Sequence, residues 1–205
     1  MKNKYESPEY WCGDSGYRAP GYVDFPINRI KEIAILLRKP RNVLDVGCAM
    51  GFSVACLRIL GIEAWGLDIS KYALSRAPEF ITPFLFNASV CSIPLQDKSF
   101  DLIFSSGMLE HIPKRNLHKA INEIVRVGKR GLIGVSCLDD ETTREGADDT
   151  HEVILKLREW QDLFPCDFEV VSDSSEAWNQ MAQRDLAILN KLVESYYKMQ
   201  EAKDA

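Results

Sequence analysis

Four short groups of residues in this chain have the types and spacing to do chemistry. Gly47 and Gly51 bracket the turn Gly47-Cys48-Ala49-Met50-Gly51. Glycine has no Cβ, so its backbone can take positive φ and a ligand can lie against the main chain, facing the unsatisfied N–H groups of a helix that follows. The spacing is G-x-x-x-G, which is neither the G-x-G-x-x-G of a dinucleotide site nor the Gly-Lys-Ser/Thr of a P-loop. Asp68 closes the next apolar run about 20 positions beyond the first glycine, where α/β nucleoside sites place a carboxylate on ribose hydroxyls. The remaining two groups, Glu110-His111 and Asp148-Asp149-Thr150-His151, set carboxylates beside an imidazole, a combination that can orient and tune a general base.

Each histidine group also has a purely structural reading. Glu110 and His111 can hydrogen-bond their loop and start the next helix, while the Asp and Thr residues can cap a helix 153–164 with His151 in its first turn. A metal on Asp148, Asp149 and His151 needs further ligands that the sequence does not identify, so no metal centre is predicted. His118 stands among polar neighbours and reads as a surface residue.

A regular scaffold is needed to hold these groups. Val43 to Asp45 read as a buried strand, followed after the turn by a helix from Phe52 to Leu60 that Gly61 ends. A second strand runs to Asp68, and Ser70 can cap a short helix Lys71 to Arg76. Thr82 to Asn87, Phe100 to Ser105, Gly131 to Cys137 and Phe168 to Val171 read as further strands. Leu117, Ile121, Ile124 and Val125 mark one face of a helix Arg115 to Val127, and Val153 to Phe164 reads as another helix. A helix from Pro26 to Pro40 precedes the first strand. Strands alternating with helices predict an α/β fold, a doubly wound and mainly parallel sheet with helices on both faces. The candidate groups then fall beyond the carboxyl ends of the strands, where open α/β sheets bind ligands.

The first 24 residues carry Tyr5, Tyr10, Trp11, Tyr17 and Tyr22 among glycines and prolines, which reads as an aromatic arm that packs on the domain edge or covers a ligand as a lid. Residues 25–172 form the main domain. In 173–205, Asp173-Ser-Ser-Glu176 resembles a capping pattern that opens a long helix with Trp178, Ala182, Leu186, Leu189, Val193 and Tyr196 in one stripe. That stripe packs on the sheet or on a second copy of the chain as a homodimer. An antiparallel seventh strand is not legible.

VLDVGCAMG (Val43 to Gly51), Asp68 after a second apolar run, Ser89-Val90 ahead of Ile93-Pro94, and Ser99 to Phe104 together resemble the class I S-adenosylmethionine-dependent methyltransferases, over roughly residues 41 to 137. The resemblance implies a Rossmann-like methyltransferase fold and S-adenosyl-L-methionine as cofactor. It places the cofactor on Asp45, Gly47, Cys48 and Gly51, on Asp68 with Ile69, on Ser89 with Val90, and on Ser105-Ser106 at the end of strand four. Two positions depart from the pattern: Ala49 stands where members usually have glycine, and Ser89 where they often have an acidic residue near the adenine amine. Glu110-His111 resembles a pair found after strand four in many members. The D-x-T-H at 148 to 151, followed by Trp160, is similar to methyltransferases of sugar and polysaccharide assembly. The implied activity is methyl transfer to a small-molecule acceptor, first a hydroxyl of a sugar-like or natural-product substrate, with His151 or His111 as catalytic residue. The alternative is a non-catalytic S-adenosylmethionine-binding or regulatory subunit. A nicotinamide oxidoreductase is disfavoured by the glycine spacing.

Composition narrows the classes further. The chain has 205 residues and a formal net charge of −5, enough for one large core and unlike the Lys/Arg-rich surfaces that neutralise nucleic-acid or lipid phosphates. No nucleic-acid or membrane partner is expected. Six cysteines are scattered without a C-x-x-C pair, mostly within apolar runs, as in a reducing cytoplasm.

Overall fold

The computed structural model describes residues 4–11, 31, 34–138, 150–174, 176–181, 183–184 and 187. Six strands, β1 (Asn42–Val46), β2 (Glu63–Asp68), β3 (Leu85–Asn87), β4 (Leu102–Ser106), β5 (Gly131–Val135) and β6 (Phe168–Ser172), form one sheet in the order β3-β2-β1-β4-β5-β6. Every pairing between them is parallel. This is the expected doubly wound α/β architecture. The strand order reverses between β1 and β4, and a crevice opens at their carboxyl ends.

Burial on both faces explains the near-continuous apolar composition of the strands. Side chains alternate across the sheet: Leu44 and Ile103 join one core cluster, whereas Val43, Leu102 and Phe104 join the other. The helix Lys114–Val127 packs Leu117, Ala120, Ile121, Ile124 and Val127 against the first face. The larger of these side chains each contribute about 1.5–3 kcal/mol on burial. On the other face lie Leu57 of the helix Phe52–Ile59, Ala34 and Ile35, and Trp178. Of the expected Pro26 to Pro40 helix, residues 31 and 34–40 are described, and 31 and 34–37 are helical.

Several element boundaries differ from expectation. Thr82 to Phe84 belong to a 3-10 helix, Glu79–Phe84, which leaves β3 only three residues. Pro83 lies inside that turn, and proline has no N–H to give a sheet ladder. The fifth strand stops at Val135, and Cys137 instead forms an isolated parallel bridge with Leu155. The helix expected from Val153 spans only Leu157–Asp162. The N–H groups of Glu152 and Val153 donate to the Glu110 carbonyl at 2.8 and 3.0 Å, which holds 152–155 extended.

The carboxyl-terminal helix begins as expected, with Ser174 Oγ accepting from the Ala177 N–H at 3.2 Å. Trp178, fully buried, packs on this chain's own sheet. Ala182, Leu186, Leu189, Val193 and Tyr196 lie outside the described residues, as do Tyr17 and Tyr22. Among the described residues, no helix is long and apolar enough to cross a membrane.

Candidate functional site

At the carboxyl ends of β1, β2 and β4 lies a cavity of about 330 Å³, within the size range of small-molecule sites. Gly47 and Ala49 form its floor, and Leu67, Asp68 and Ile69 one wall. Ala88 to Cys91 form a second wall, and Gly107, Met108, His111, Ile112, Pro113 and Asn116 the third. Tyr5, Tyr10 and Trp11 close it from the amino-terminal arm.

The floor is shaped by backbone conformation. Gly47 has φ +84° and Gly51 φ +72°, in the left-handed region that glycine enters without steric cost. The Gly47 and Cys48 N–H groups both donate to the Leu67 carbonyl, at 2.9 and 3.0 Å, so the turn is locked onto the end of β2. A Cβ on Gly47 would stand 2.5 Å from Met108 Cγ. Gly51 answers a different need. As the residue preceding the helix Phe52–Ile59, it packs so closely that a Cβ would meet Ile81 and Leu85 at 2.8 and 2.9 Å. Ala49 also adopts a positive φ, of 50°, where an L side chain is strained.

Asp68 is the only carboxylate on the cavity wall among the described residues. Its Oδ2 accepts from the Ala49 N–H at 2.9 Å and its Oδ1 from the Ser70 N–H at 2.8 Å. Burial raises its pKa, opposed by the N–H donors of Ser70, Ala49 and Ile69. Behind it, Asp45 is 4% exposed. Burial first, and then the charge of Asp68, push its pKa up to about 7 against the pull of Lys31. The fit to a cationic, nucleoside-bearing ligand is good: a single carboxylate, an apolar slot and three aromatic rings favour a sulfonium and an adenosine.

The arm is tied to this wall. Glu6 accepts from the Lys71 and Tyr72 N–H groups at 2.9 and 3.1 Å, at the start of the helix Lys71–Ser75. Ser70 donates to the Tyr5 carbonyl, and its Oγ accepts from the Ala73 N–H at 3.0 Å. Trp11 is 5% exposed and clusters with Ala49 and Ala73, and its indole N–H donates to the Tyr5 carbonyl at 2.7 Å.

A second group lies where the cavity meets β4 and β5. His111 is on the wall, and the His151 ring lies behind it with a centroid separation of 4.9 Å. His111 Nδ1 meets Thr150 Oγ1 at 3.0 Å. Glu110 is 1% exposed; its Oε1 accepts from the Ser136 N–H at 3.1 Å. Burial pushes its carboxyl up to about 7, with the charge of Asp173 adding to the rise.

Of the candidate site residues, Gly47, Asp68, Ile69, Ser89, Val90 and His111 therefore meet at one cavity. Ser89 Oγ accepts from the Cys91 N–H at 3.2 Å and shapes that wall. The other candidates lie outside this lining. Cys48 packs its sulfur against Gly66, and Asp45 and Gly51 stand behind the lining. Ser105 is fully buried and donates to the Val46 carbonyl at 2.8 Å, tying β4 to β1. Ser106 accepts from Lys31 Nζ at 2.6 Å and donates to Asp173 Oδ1 at 2.8 Å. The wall is made instead by the next residues, Gly107 and Met108. The glycine after the two serines was the available signal. The following helix begins only at Leu157, with Lys156 preceding it, so Thr150 and His151 do not cap it; Asp148 and Asp149 lie outside the described residues. Asn116, in the first turn of Lys114–Val127, and Cys91 line the cavity without any motif to announce them.

A family model described as a methyltransferase domain matches residues 44–134. An uncharacterized protein of Methanocaldococcus jannaschii is 29% identical over 168 residues, covering 76% of this chain and 72% of that protein. Ajmaline N-methyltransferase of Rauvolfia serpentina is 33% identical over 104 residues, covering 46% of this chain; the chain spans 34% of that enzyme's length. A SAM-dependent methyltransferase from Archaeoglobus fulgidus superposes with a TM-score of 0.59 at 19% identity, covering 69% of this chain and 66% of that one. At that identity the likeness speaks for the fold.

Proposed function

Because this chain belongs to the class I S-adenosylmethionine-dependent methyltransferase family, we propose that its cavity binds S-adenosylmethionine and that the protein methylates a small-molecule acceptor. The observation that carries the reading is Asp68. Its carboxylate is fixed by two backbone N–H groups at the edge of a cavity floored by the Gly47 turn, and the remaining lone pairs suit ribose hydroxyls. Ser89 and Val90 flank the adenine, and Gly47 lets the amino-acid end lie against the main chain. When bound, the cofactor supplies an electrophilic methyl group on a positively charged sulfur. The chain's own work is positioning, worth several kcal/mol when the reacting atoms are held in contact. Tyr5, Tyr10 and Trp11 act as a lid that excludes water. The acceptor occupies the side of the cavity walled by Met108 and His111, and its proton leaves toward the His111–His151 pair.

The acceptor is a hydroxyl of a sugar-like or natural-product molecule. What supports this is the pairing of two imidazoles at the wall, since a hydroxyl must lose a proton where many amines need not. The test is methyl transfer from labelled S-adenosylmethionine to a panel of hydroxyl, amine and carbon acceptors. Turnover confined to hydroxyl compounds is the expected result. Turnover on amines alone removes the hydroxyl assignment, and cofactor binding with no turnover on any class leaves a binding subunit.

A further inference from the structure

Behind the cavity wall, Glu110, His111 and His151 bring one carboxylate and two imidazoles together, with one ligand atom from each within 4.8 Å of the others. Glu110 Oε2 and His151 Nδ1 are buried and have no hydrogen-bond partner among the described residues. An unpaired buried polar atom costs about 1–3 kcal/mol, and two residues of one cluster that each carry such an atom call for a common partner. We propose that Glu110, His111 and His151 bind a divalent first-row transition-metal ion as a two-histidine, one-carboxylate site.

The donor set argues for the class of ion. Imidazole suits Zn²⁺, Fe²⁺ and Co²⁺, whereas Ca²⁺ and Mg²⁺ favour all-oxygen shells. Bonds of about 2.0–2.2 Å place the ligand atoms of one ion roughly 3–4 Å apart, so side-chain rotations close the site. Its supporting partners are already in place. Thr150 at His111 Nδ1 fixes the ring and directs Nε2 to the metal, as partners of metal-bound imidazoles do. The Ser136 N–H holds Glu110 Oε1, and the Glu110 carbonyl holds the strap that carries His151. Three protein ligands leave positions for water or an acceptor oxygen, and His111 is the ligand that also lines the cavity. An oxygen bound there would lose its proton more readily, the two imidazoles then serving as ligands and not as the proton acceptor. Only that last consequence rests on the methyl-transfer reading.

The full chain, stripped with a chelator and dialysed, is titrated with Co²⁺ by visible absorption and with Zn²⁺ by calorimetry. One equivalent of each ion should bind, with cobalt ligand-field bands. Glu110→Gln and His151→Ala should each weaken binding at least tenfold, and His118→Ala, on the exposed face of Lys114–Val127, should not change it. Melting curves without metal establish that each variant is folded; Glu110→Gln keeps shape and volume. Absence of a one-equivalent site in the parent, or parental affinity in both ligand variants, would overturn the site. S-adenosylmethionine calorimetry on the same metal-free protein tests the other reading separately: cofactor binding without Co²⁺ binding sinks the metal site alone, and the converse sinks the cofactor site alone.

Discussion

The β1–β2 half of the crevice and the β4–β5 half meet in one cavity but are built differently. The first is made of backbone: a turn in positive φ, two N–H groups on Leu67 and two on Asp68. Its residues lie close together in the chain. The second is made of side chains brought together across the fold, with His111 and Thr150 separated by 39 positions and Lys31, Ser106, Asp173 and Trp178 joined in one polar network. A backbone site accepts a ligand common to many proteins, because main-chain groups are supplied by any sequence that can make the turn. A side-chain site can change its ligand by changing single residues. The cofactor half is thus the general part and the Glu110-His111-His151 half the particular part.

The comparison can be broken most forcefully at Gly47. A valine there meets Met108 Cγ and must hold φ +84°. The expected result is at least a 100-fold loss of S-adenosylmethionine affinity, about 2.7 kcal/mol, measured by calorimetry. Parental affinity would show that the turn does not touch the ligand.

A smaller effect separates the two carboxylates of the cofactor half. Asp45 titrates near 7 in the fold, above its ordinary value, so the native state holds its proton more tightly than the unfolded chain does. Its contribution to stability is complete below about pH 4 and is lost as pH rises through about 7. Asp68 on β2, the Cys48 thiol in the turn and Lys31 are the groups around it. Asp45→Asn should flatten this slope and leave the variant about 1–3 kcal/mol more stable than the parent at pH 8.5. Urea unfolding at pH 5 and pH 8.5 measures the difference, and an unchanged slope would remove Asp45 as its source.

The smallest effect concerns Ala49, held at φ 50°. Ala49→Gly should relieve strain and raise stability by about 0.5–1 kcal/mol, net of the greater freedom of glycine in the unfolded chain. A loss of stability of that size in thermal unfolding would mean that the alanine methyl contributes more by packing than it costs in conformation.

How much was legible follows the same division. The alternation of apolar runs with helical stripes forecast the parallel sheet; Gly47 and Asp68 are picked out by local spacing and Ser89 and Val90 by the family resemblance, and all four line the cavity. Ser105 and Ser106 do end β4 as expected, but the cavity is lined by Gly107 and Met108 beyond them, because the Ser105 and Ser106 side chains are taken up by Val46, Lys31 and Asp173. Thr82 to Phe84 carry strand-like residues, but Pro83 turns them into a 3-10 helix. The structural alternative for His151 set it in the first turn of a helix 153–164, but 152–155 are extended, since the Glu110 carbonyl takes the N–H groups of Glu152 and Val153. The same long-range bond brings His151 to His111. No local pattern announces such a contact, which is why the partners of the 148–151 segment could not be completed from sequence.

The central claim is that Asp68 receives the ribose of S-adenosylmethionine. Calorimetric titration of the parent, Asp68→Asn and Asp68→Ala with that cofactor tests it most directly, the asparagine keeping an acceptor for one backbone N–H. The parent should bind at about micromolar Kd or tighter, near −8 kcal/mol. Both variants should bind roughly 10- to 100-fold more weakly, the worth of a charged hydrogen bond, while remaining folded. Affinity equal to the parent's in both folded variants would contradict the account.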